Sequence, residues 1–275
     1  MTDDSTYLVI GGTGKTGRRV VDRLGARGLR GRVGSRPAFD RNADPATWTP
    51  LLQGVTAAYV TYYPDVAFPG AAESIAAFAR LAGDAGVRRL VLLSGRGEEE
   101  AERSERGVRE SGLEWTVVRS TWFAQDFTEH FLLPPVLAGV IPLPTDAPEP
   151  FVDLADVADV VVAALTADGH RGRTYELTGP RPVTFTEAAD LIAAASGRPV
   201  RFARVTTEEC AARMTAEGVP PGEAAELAAL FERILDGRNA HPTDDVKRVT
   251  GHEARDFRDF RDFVRTAAAT GIWNP

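Results

Sequence analysis

Short, wholly apolar runs alternate along the first 120 residues with stretches whose apolar positions recur every three or four residues. Tyr7-Leu8-Val9-Ile10 is the first run; it ends in Gly11-Gly12 and is followed, from Arg18 to Gly28, by helical spacing through Val20, Val21 and Leu24. Gly31 to Gly34 predicts a second short strand, Pro50 to Gly54 a helical turn, and Ala57 to Tyr63 a strand with almost no charge. Ile75 to Ala85 predicts a helix, Arg89 to Leu93 a strand, Glu99 to Ser111 a helix and Glu114 to Arg119 a strand. Strands that are apolar along their whole length and separated by helices predict a parallel sheet covered on both faces.

The fold class is therefore α/β, a doubly wound Rossmann-type parallel sheet, with a smaller C-terminal lobe. Ligands of such sheets sit at the carboxyl ends of the strands. Here those ends are Gly11–Gly17, Ser35–Arg36, Thr61–Tyr63, Ser94–Arg96 and Ser120–Phe123. After Asp126 the texture changes: Pro134, Pro135, Pro142, Pro144, Pro148 and Pro150 predict a loop-rich crossover with little regular structure. The α/β pattern returns with Phe151-Val152-Asp153, a helix over Leu154 to Thr166, and a strand at Tyr175-Glu176-Leu177. A helix over Phe185 to Ala195 capped by Thr184, and a strand over Val200 to Ala203, come next. From Thr207 onward the chain reads as mostly helical and ends in Phe257, Phe260 and Phe263, a core-facing stripe. The expected division is a dinucleotide-binding domain over residues 1–155, whose sheet has room for later strands, and a mostly helical substrate-binding lobe over 156–275.

Composition narrows the function classes. With 275 residues and 43% hydrophobic positions the chain buries a sizeable core. A net charge of -7 argues against a nucleic-acid partner, which calls for a basic stripe. Cys210 is the only cysteine, so no internal disulfide or cysteine-based zinc site is available. The four histidines, His130, His170, His241 and His252, have no ligand spacing, and no metal is assigned. The acidic N-terminus lacks the basic start of a signal peptide, and no apolar run approaches the roughly 18 residues that span a membrane. A cytoplasmic, soluble protein without a membrane partner is expected, as a monomer or homodimer.

Gly11-Gly12-Thr13-Gly14-Lys15-Thr16-Gly17 carries the strongest chemistry. It follows a strand, opens a helix and satisfies the spacing Gly12-x-Gly14-x-x-Gly17. Glycines are needed there because the turn is tight, the backbone must approach a pyrophosphate, and the helix must pack close to the strand. The helix N-terminus then offers unpaired N–H groups and a positive partial charge. Gly14-Lys15-Thr16 also resembles the end of a triphosphate-binding loop, but that motif needs a glycine where Val9 stands. Gly11, Thr13, Gly14, Lys15, Thr16 and Gly17, with Thr61 at a strand end, are the candidate cofactor contacts. The second strand ends in Ser35-Arg36, a hydroxyl and a planar cation suited to a 2′-phosphate, which favours NADPH over NADH. Asp40 nearby keeps NADH in play.

Gly11–Gly17, with Leu90-Val91-Leu92-Leu93-Ser94, Glu105 through Arg119 and Phe151 through Val157, resemble the NmrA-like branch of atypical short-chain dehydrogenases/reductases. Ser94 through Glu100 and Trp122 through Phe127 are more particularly similar to the ergot-alkaloid EasG-type reductases and their bacterial relatives. The resemblance spans nearly the whole chain and implies an NADPH-dependent oxidoreductase, plausible in secondary metabolism, in a family that also holds cofactor-sensing regulators. Typical short-chain reductases protonate the alkoxide with a Tyr assisted by a Lys four residues later; between Ser94 and Gly112 neither residue occurs. A positioned acid is worth about 10²–10⁴-fold in rate when a ketone is reduced. An iminium is merely quenched by hydride, and a quinone spreads its new charge over the ring. The missing pair therefore points to iminium, quinone or conjugated carbonyl acceptors on a hydrophobic, polycyclic small molecule, or to no catalysis.

Ser94 stands where the resemblance implies a catalytic serine, and Tyr62 is the candidate substitute acid. Tyr63, Trp122 and Phe123 are candidate walls of a substrate pocket, with core packing the competing role for the last two. Glu98, Glu99, Glu100, Glu102 and Glu105 read as a solvated, acidic helix start, with attraction of a cationic substrate as the sharper alternative. The leading function is a reductase; the alternative is a non-catalytic NADP(H)-sensing regulator.

Overall fold

The computed structural model describes residues 5–256, 270, 272 and 273. Strand β1 (Thr6–Ile10) is buried along its whole length and feeds the turn into helix α1 (Lys15–Ala26), whose buried face is Thr16, Gly17, Val20 and Leu24. Strand β2 (Arg30–Gly34), a 3-10 turn (Pro45–Trp48), α2 (Thr49–Leu52), β3 (Ala57–Val60), α3 (Ala71–Asp84), β4 (Arg89–Gly95), α4 (Glu99–Arg109) and β5 (Glu114–Ser120) follow. Then come α5 (Asp126–Glu129), α6 (Leu133–Ala138), β6 (Val140–Leu143), α7 (Leu154–Thr166), β7 (Arg173–Leu177) and α8 (Phe185–Ser196). Strand β8 (Arg201–Arg204), α9 (Thr207–Ala216), α10 (Pro221–Ile234) and α11 (Asp245–Thr250) complete the described elements.

Six strands pair in parallel in the order β2-β1-β3-β4-β5-β7. The register carries Tyr7 beside Gly31 and Ala57, and Leu92 beside Val60 and Val117. From β1 the chain moves outward to β2 and then crosses back to β3 on the other side of β1. That reversal opens a crevice outside the carboxyl ends of β1 and β3, the place where doubly wound sheets bind their ligands. Strand β2 exposes Arg30, Gly31 and Val33 because it is an edge, and charged residues there discourage pairing with another chain. On one face the core runs from Leu8, Ile10, Ala58, Val60, Leu90 and Leu92 to Ile75, Phe78 and Val108. It is closed by an aromatic corner in which Phe39 lies 4.8 Å from Trp48 and 6.0 Å from Phe78, centroid to centroid. On the other face α1 packs against α7, joined by Arg23 Nε and Asp159 Oδ1 at 2.5 Å.

The chain divides into two compact units. The first comprises residues 1–120, 154–177 and 244–252, so the sheet takes back α7, β7 and α11 after residue 155, where the sequence pattern divides the chain. The second comprises 121–153, 178–243 and 253–275 and contains a two-stranded parallel sheet of β6 and β8. Its proline-rich start is more regular than the sequence suggests. Pro134 and Pro135 sit in the first turn of α6, where no intrahelical N–H is needed, and Pro142 lies within β6. Thr184 and Thr206 cap α8 and α9 by accepting from the Glu187 and Glu209 amides. The Phe257, Phe260 and Phe263 stripe lies outside the described residues. No helix among the described residues is long and apolar enough to cross a membrane.

Candidate functional site

The site is built by the loops that leave β1, β2, β3 and β4 in the first unit. The loop after β1 closes on itself: the Gly14 amide donates to the Gly11 carbonyl at 2.8 Å, and the Gly11 amide donates to Gly34 O at the end of β2, also at 2.8 Å. Gly11 has φ +69°, and a Cβ on it would lie 2.6 Å from the Thr61 methyl group. A Cβ on Gly17 would overlap the Gly11 carbonyl oxygen and lie 2.8 Å from the Gly12 Cα. Only glycines at these positions let β1, α1 and the end of β3 come this close. Unlike α8 and α9, α1 has no side-chain cap, and its first turn carries no acidic residue. No side chain thus caps its first-turn amides, an arrangement that suits an anion.

The other loop residues fall into place around this turn. Thr13 and Gly14 are exposed, and Lys15 is half-buried. The Thr16 hydroxyl turns inward and accepts from the buried Tyr59 Oη at 3.0 Å, so this residue presents backbone rather than side chain. Burial pushes the Tyr59 phenol up, against hydrogen bonds with Thr16 and Thr61, so it stays neutral. Strand β3 stops at Val60, which puts Tyr62 and Tyr63 on a loop rather than at a strand end. Tyr62 packs its ring against the core, while Tyr63 is 62% exposed.

At the end of β2 the Ser35 carbonyl accepts from the Phe39 amide, and Arg36 projects outward with no acceptor among the described residues. Asp40, the residue that kept NADH in play, spends one carboxylate oxygen on the Asn42 amide at 2.9 Å. The same loop carries a residue the sequence did not single out. The Arg41 guanidinium lies over both tyrosine rings, 5.3 Å from Tyr62 and 5.5 Å from Tyr63.

Ser94, at the end of β4, is buried, and its hydroxyl donates to Glu105 Oε1 at 2.8 Å. Glu105 is 1% exposed and also accepts from Arg119 Nε at 2.8 Å, Arg119 Nη2 at 2.9 Å and Arg109 Nη2 at 2.8 Å. Burial alone raises the Glu105 carboxyl, but hydrogen bonds from Arg119, Arg109 and Ser94 outweigh it and hold it below the usual range. Arg96 in turn donates to Glu176 of β7 at 2.9 Å. The acidic run is therefore not a uniformly solvated helix start. Glu98 and Glu105 are buried, whereas Glu99 and Glu102 are largely exposed. Glu98 also hydrogen-bonds Asp65, whose carboxyl is pushed up by burial despite the Ala67 amide, the Glu98 contact and the charge of Lys15. A hydrogen bond between two carboxyl groups requires a proton on one of them.

Trp122 and Phe123 belong to the second unit. The Trp122 ring sits 4.7 Å from Phe231, 5.4 Å from Phe131 and 5.5 Å from Phe185, an aromatic cluster of that unit. Phe123 forms a parallel bridge with Val152. The fold also gathers Asp156, Asp159 and His252, with ligand atoms within 4.8 Å of one another, although Arg23 already neutralises Asp159.

No family model matches the chain. It is 31% identical over 275 residues to an NAD(P)H azoreductase of Xenophilus azovorans, covering 91% of this chain and 94% of that protein. It is 28% identical over 287 residues to an agroclavine dehydrogenase of Claviceps fusiformis, covering 92% and 94%. Among solved structures, the triphenylmethane reductase of Citrobacter sp. complexed with NADP(H) superposes with a TM-score of 0.74 at 22% identity, covering 96% of this chain and 99% of that one.

Proposed function

The chain belongs to the NmrA-like branch of atypical short-chain reductases, with EasG-type clavine dehydrogenases and bacterial oxidoreductases among its relatives, and from that premise we propose that it is an NADPH-dependent reductase of a hydrophobic, polycyclic small molecule. The acceptor is an iminium, a quinone or a conjugated carbonyl, and the setting is secondary metabolism. The relatives are named for an azo compound, a clavine alkaloid and a triphenylmethane compound.

The observation that carries this reading is the uncapped start of α1, framed by glycines that leave no room for a Cβ. That cradle fits a pyrophosphate. A nicotinamide dinucleotide, when bound, supplies the hydride. The amides of Thr13 and of Lys15 through Gly17 would hold its pyrophosphate, with Lys15 adding charge, and Ser35 and Arg36 would meet the 2′-phosphate.

The chain's own residues then limit the chemistry. Its lysines are Lys15 and Lys247, preceded four positions earlier by Gly11 and Thr243, so the Tyr-x-x-x-Lys relay occurs nowhere in the sequence. Ser94 donates its hydroxyl hydrogen bond to Glu105, which leaves its oxygen as a hydrogen-bond acceptor and not as the acid. Reduction without a positioned acid suits acceptors that build no localised alkoxide.

The test is cofactor oxidation followed by absorbance, with NADPH or NADH against a panel of quinones, cyclic iminium ions and simple aromatic ketones. Turnover on the first two classes and little on ketones is expected. Tight NADP(H) binding with no turnover on any acceptor would replace the reductase with a cofactor-sensing regulator.

A further inference from the structure

Most arginines of the first unit are spoken for. Arg23 pairs with Asp159, Arg32 donates to the Leu51 and Gln53 carbonyls, Arg96 donates to Glu176, and Arg109 and Arg119 hold the buried Glu105. On the loop that leaves β2, Arg36 and Arg41 are not: they have no carboxylate, carbonyl or hydroxyl acceptor among the described residues.

Their situations differ. Arg36 is exposed and touches nothing that would fix its side chain. Arg41 is half-buried, with its guanidinium over the rings of Tyr62 and Tyr63 at 5.3 and 5.5 Å from their centroids. Stacking on an aromatic face engages the plane of the guanidinium and leaves its in-plane N–H donors unused. Tyr62 is itself packed against the core, so the platform is anchored. The contact also joins the loop after β2 to the loop after β3, across the crevice where the sheet order reverses. An oriented, acceptorless guanidinium is built for an oxyanion that accepts in its plane, and a phosphate monoester is the best match.

We propose that Arg41, oriented by the Tyr62 and Tyr63 rings, is the principal clamp on the adenosine 2′-phosphate, with Arg36 as an auxiliary charge. Tyr62 and Tyr63 then serve cofactor discrimination, not proton delivery or substrate contact. This rests on the reading of the crevice as an NADP(H) site.

Binding of adenosine 2′,5′-bisphosphate and of 5′-AMP to the full-length protein, by calorimetric titration, tests the clamp without any turnover. Charge-assisted hydrogen bonds of this kind are worth about 10- to 100-fold in affinity. Arg41→Ala should weaken the bisphosphate by at least about tenfold and leave 5′-AMP within about twofold. Tyr63→Leu should weaken the bisphosphate several-fold, whereas Tyr63→Phe, which keeps the ring, should not. Equal losses for both nucleotides would mean that Arg41 stacks on adenine, and no loss for either would leave Arg36 as the reader; each overturns the proposal. If the unaltered protein binds the two nucleotides equally, the NADPH reading itself fails and the clamp with it. A protein that discriminates between them, with Arg41→Ala discriminating by the same factor, refutes the clamp alone.

Discussion

Glu105→Gln is the most informative single change, because it keeps the shape of a buried side chain and removes only its charge. Glu105 is 1% exposed and accepts four hydrogen bonds, three of them from guanidinium groups. With the amide oxygen facing Ser94 and Arg119 Nε, the new NH₂ opposes Nη2 of both Arg119 and Arg109. Flipped, it opposes Arg119 Nε, while Ser94 can rotate its proton away. Stripping one partner from a buried ion pair costs about 3–5 kcal/mol. The loss here is smaller, because Arg119 keeps Glu102 at 3.2 Å and Glu176 at 3.8 Å, and Arg109, 36% exposed, regains water. A destabilisation of about 2–3 kcal/mol at neutral pH is expected from a urea midpoint shift at unchanged slope. The sign with pH follows from the lowered carboxyl. Its stabilisation is full above the unfolded value of 4.5 and disappears as pH falls through the lower folded value, so the two proteins should converge there. A difference below about 0.5 kcal/mol at neutral pH, the worth of an exposed pair, would show that the network contributes nothing beyond surface charge.

Gly17→Ala forces a methyl into the Gly11 carbonyl and should cost about 1–3 kcal/mol of local distortion, seen as at least a tenfold loss of NADPH affinity by fluorescence titration. The Asp65 carboxyl is raised above its unfolded value of 3.8, so its contribution is greatest below that pH and falls as pH rises toward the folded value. Asp65→Asn should flatten that decline in pH-dependent melting curves; a parallel curve would remove the proton from the Asp65–Glu98 hydrogen bond. Trp122→Ala should destabilise the chain by about 2–4 kcal/mol through lost aromatic packing. An unchanged melting curve with a raised KM would instead make Trp122 a substrate wall.

The glycine loop was legible because all its requirements fall within seven consecutive residues between a strand and a helix. Residues paired across the fold were harder. Glu105 looked solvated within an acidic run, yet Ala101, Ser104, Glu105 and Val108 share the buried face of α4, a helical spacing that marks it as inward. What the spacing lacks is the partner, since Arg119 lies on β5 and meets Glu105 only once the sheet forms. Helix α6 was hidden by Pro134 and Pro135, which act as breakers inside a helix but are tolerated in its first turn. Tyr62 and Tyr63 have strong strand propensity, which stretched the apolar run past its end at Val60. Nothing near Arg41 in the chain announces that two aromatic rings await it from the loop after β3.

The sheet's last strand comes late. The chain leaves the first unit at Ser120, returns at Leu154, leaves again at Leu177 and returns at Asp244. On the ribosome, β5 is made well before β7, so its outer row of N–H and C=O groups waits without a neighbour while the intervening residues emerge. Over the same interval α1 lacks α7, against which it packs. A nascent or truncated chain ending near residue 155 would carry the whole glycine loop and still present an open sheet edge and an uncovered helix. Aggregation of N-terminal fragments that stop before β7 is therefore the expected consequence of the order in which this sheet receives its strands.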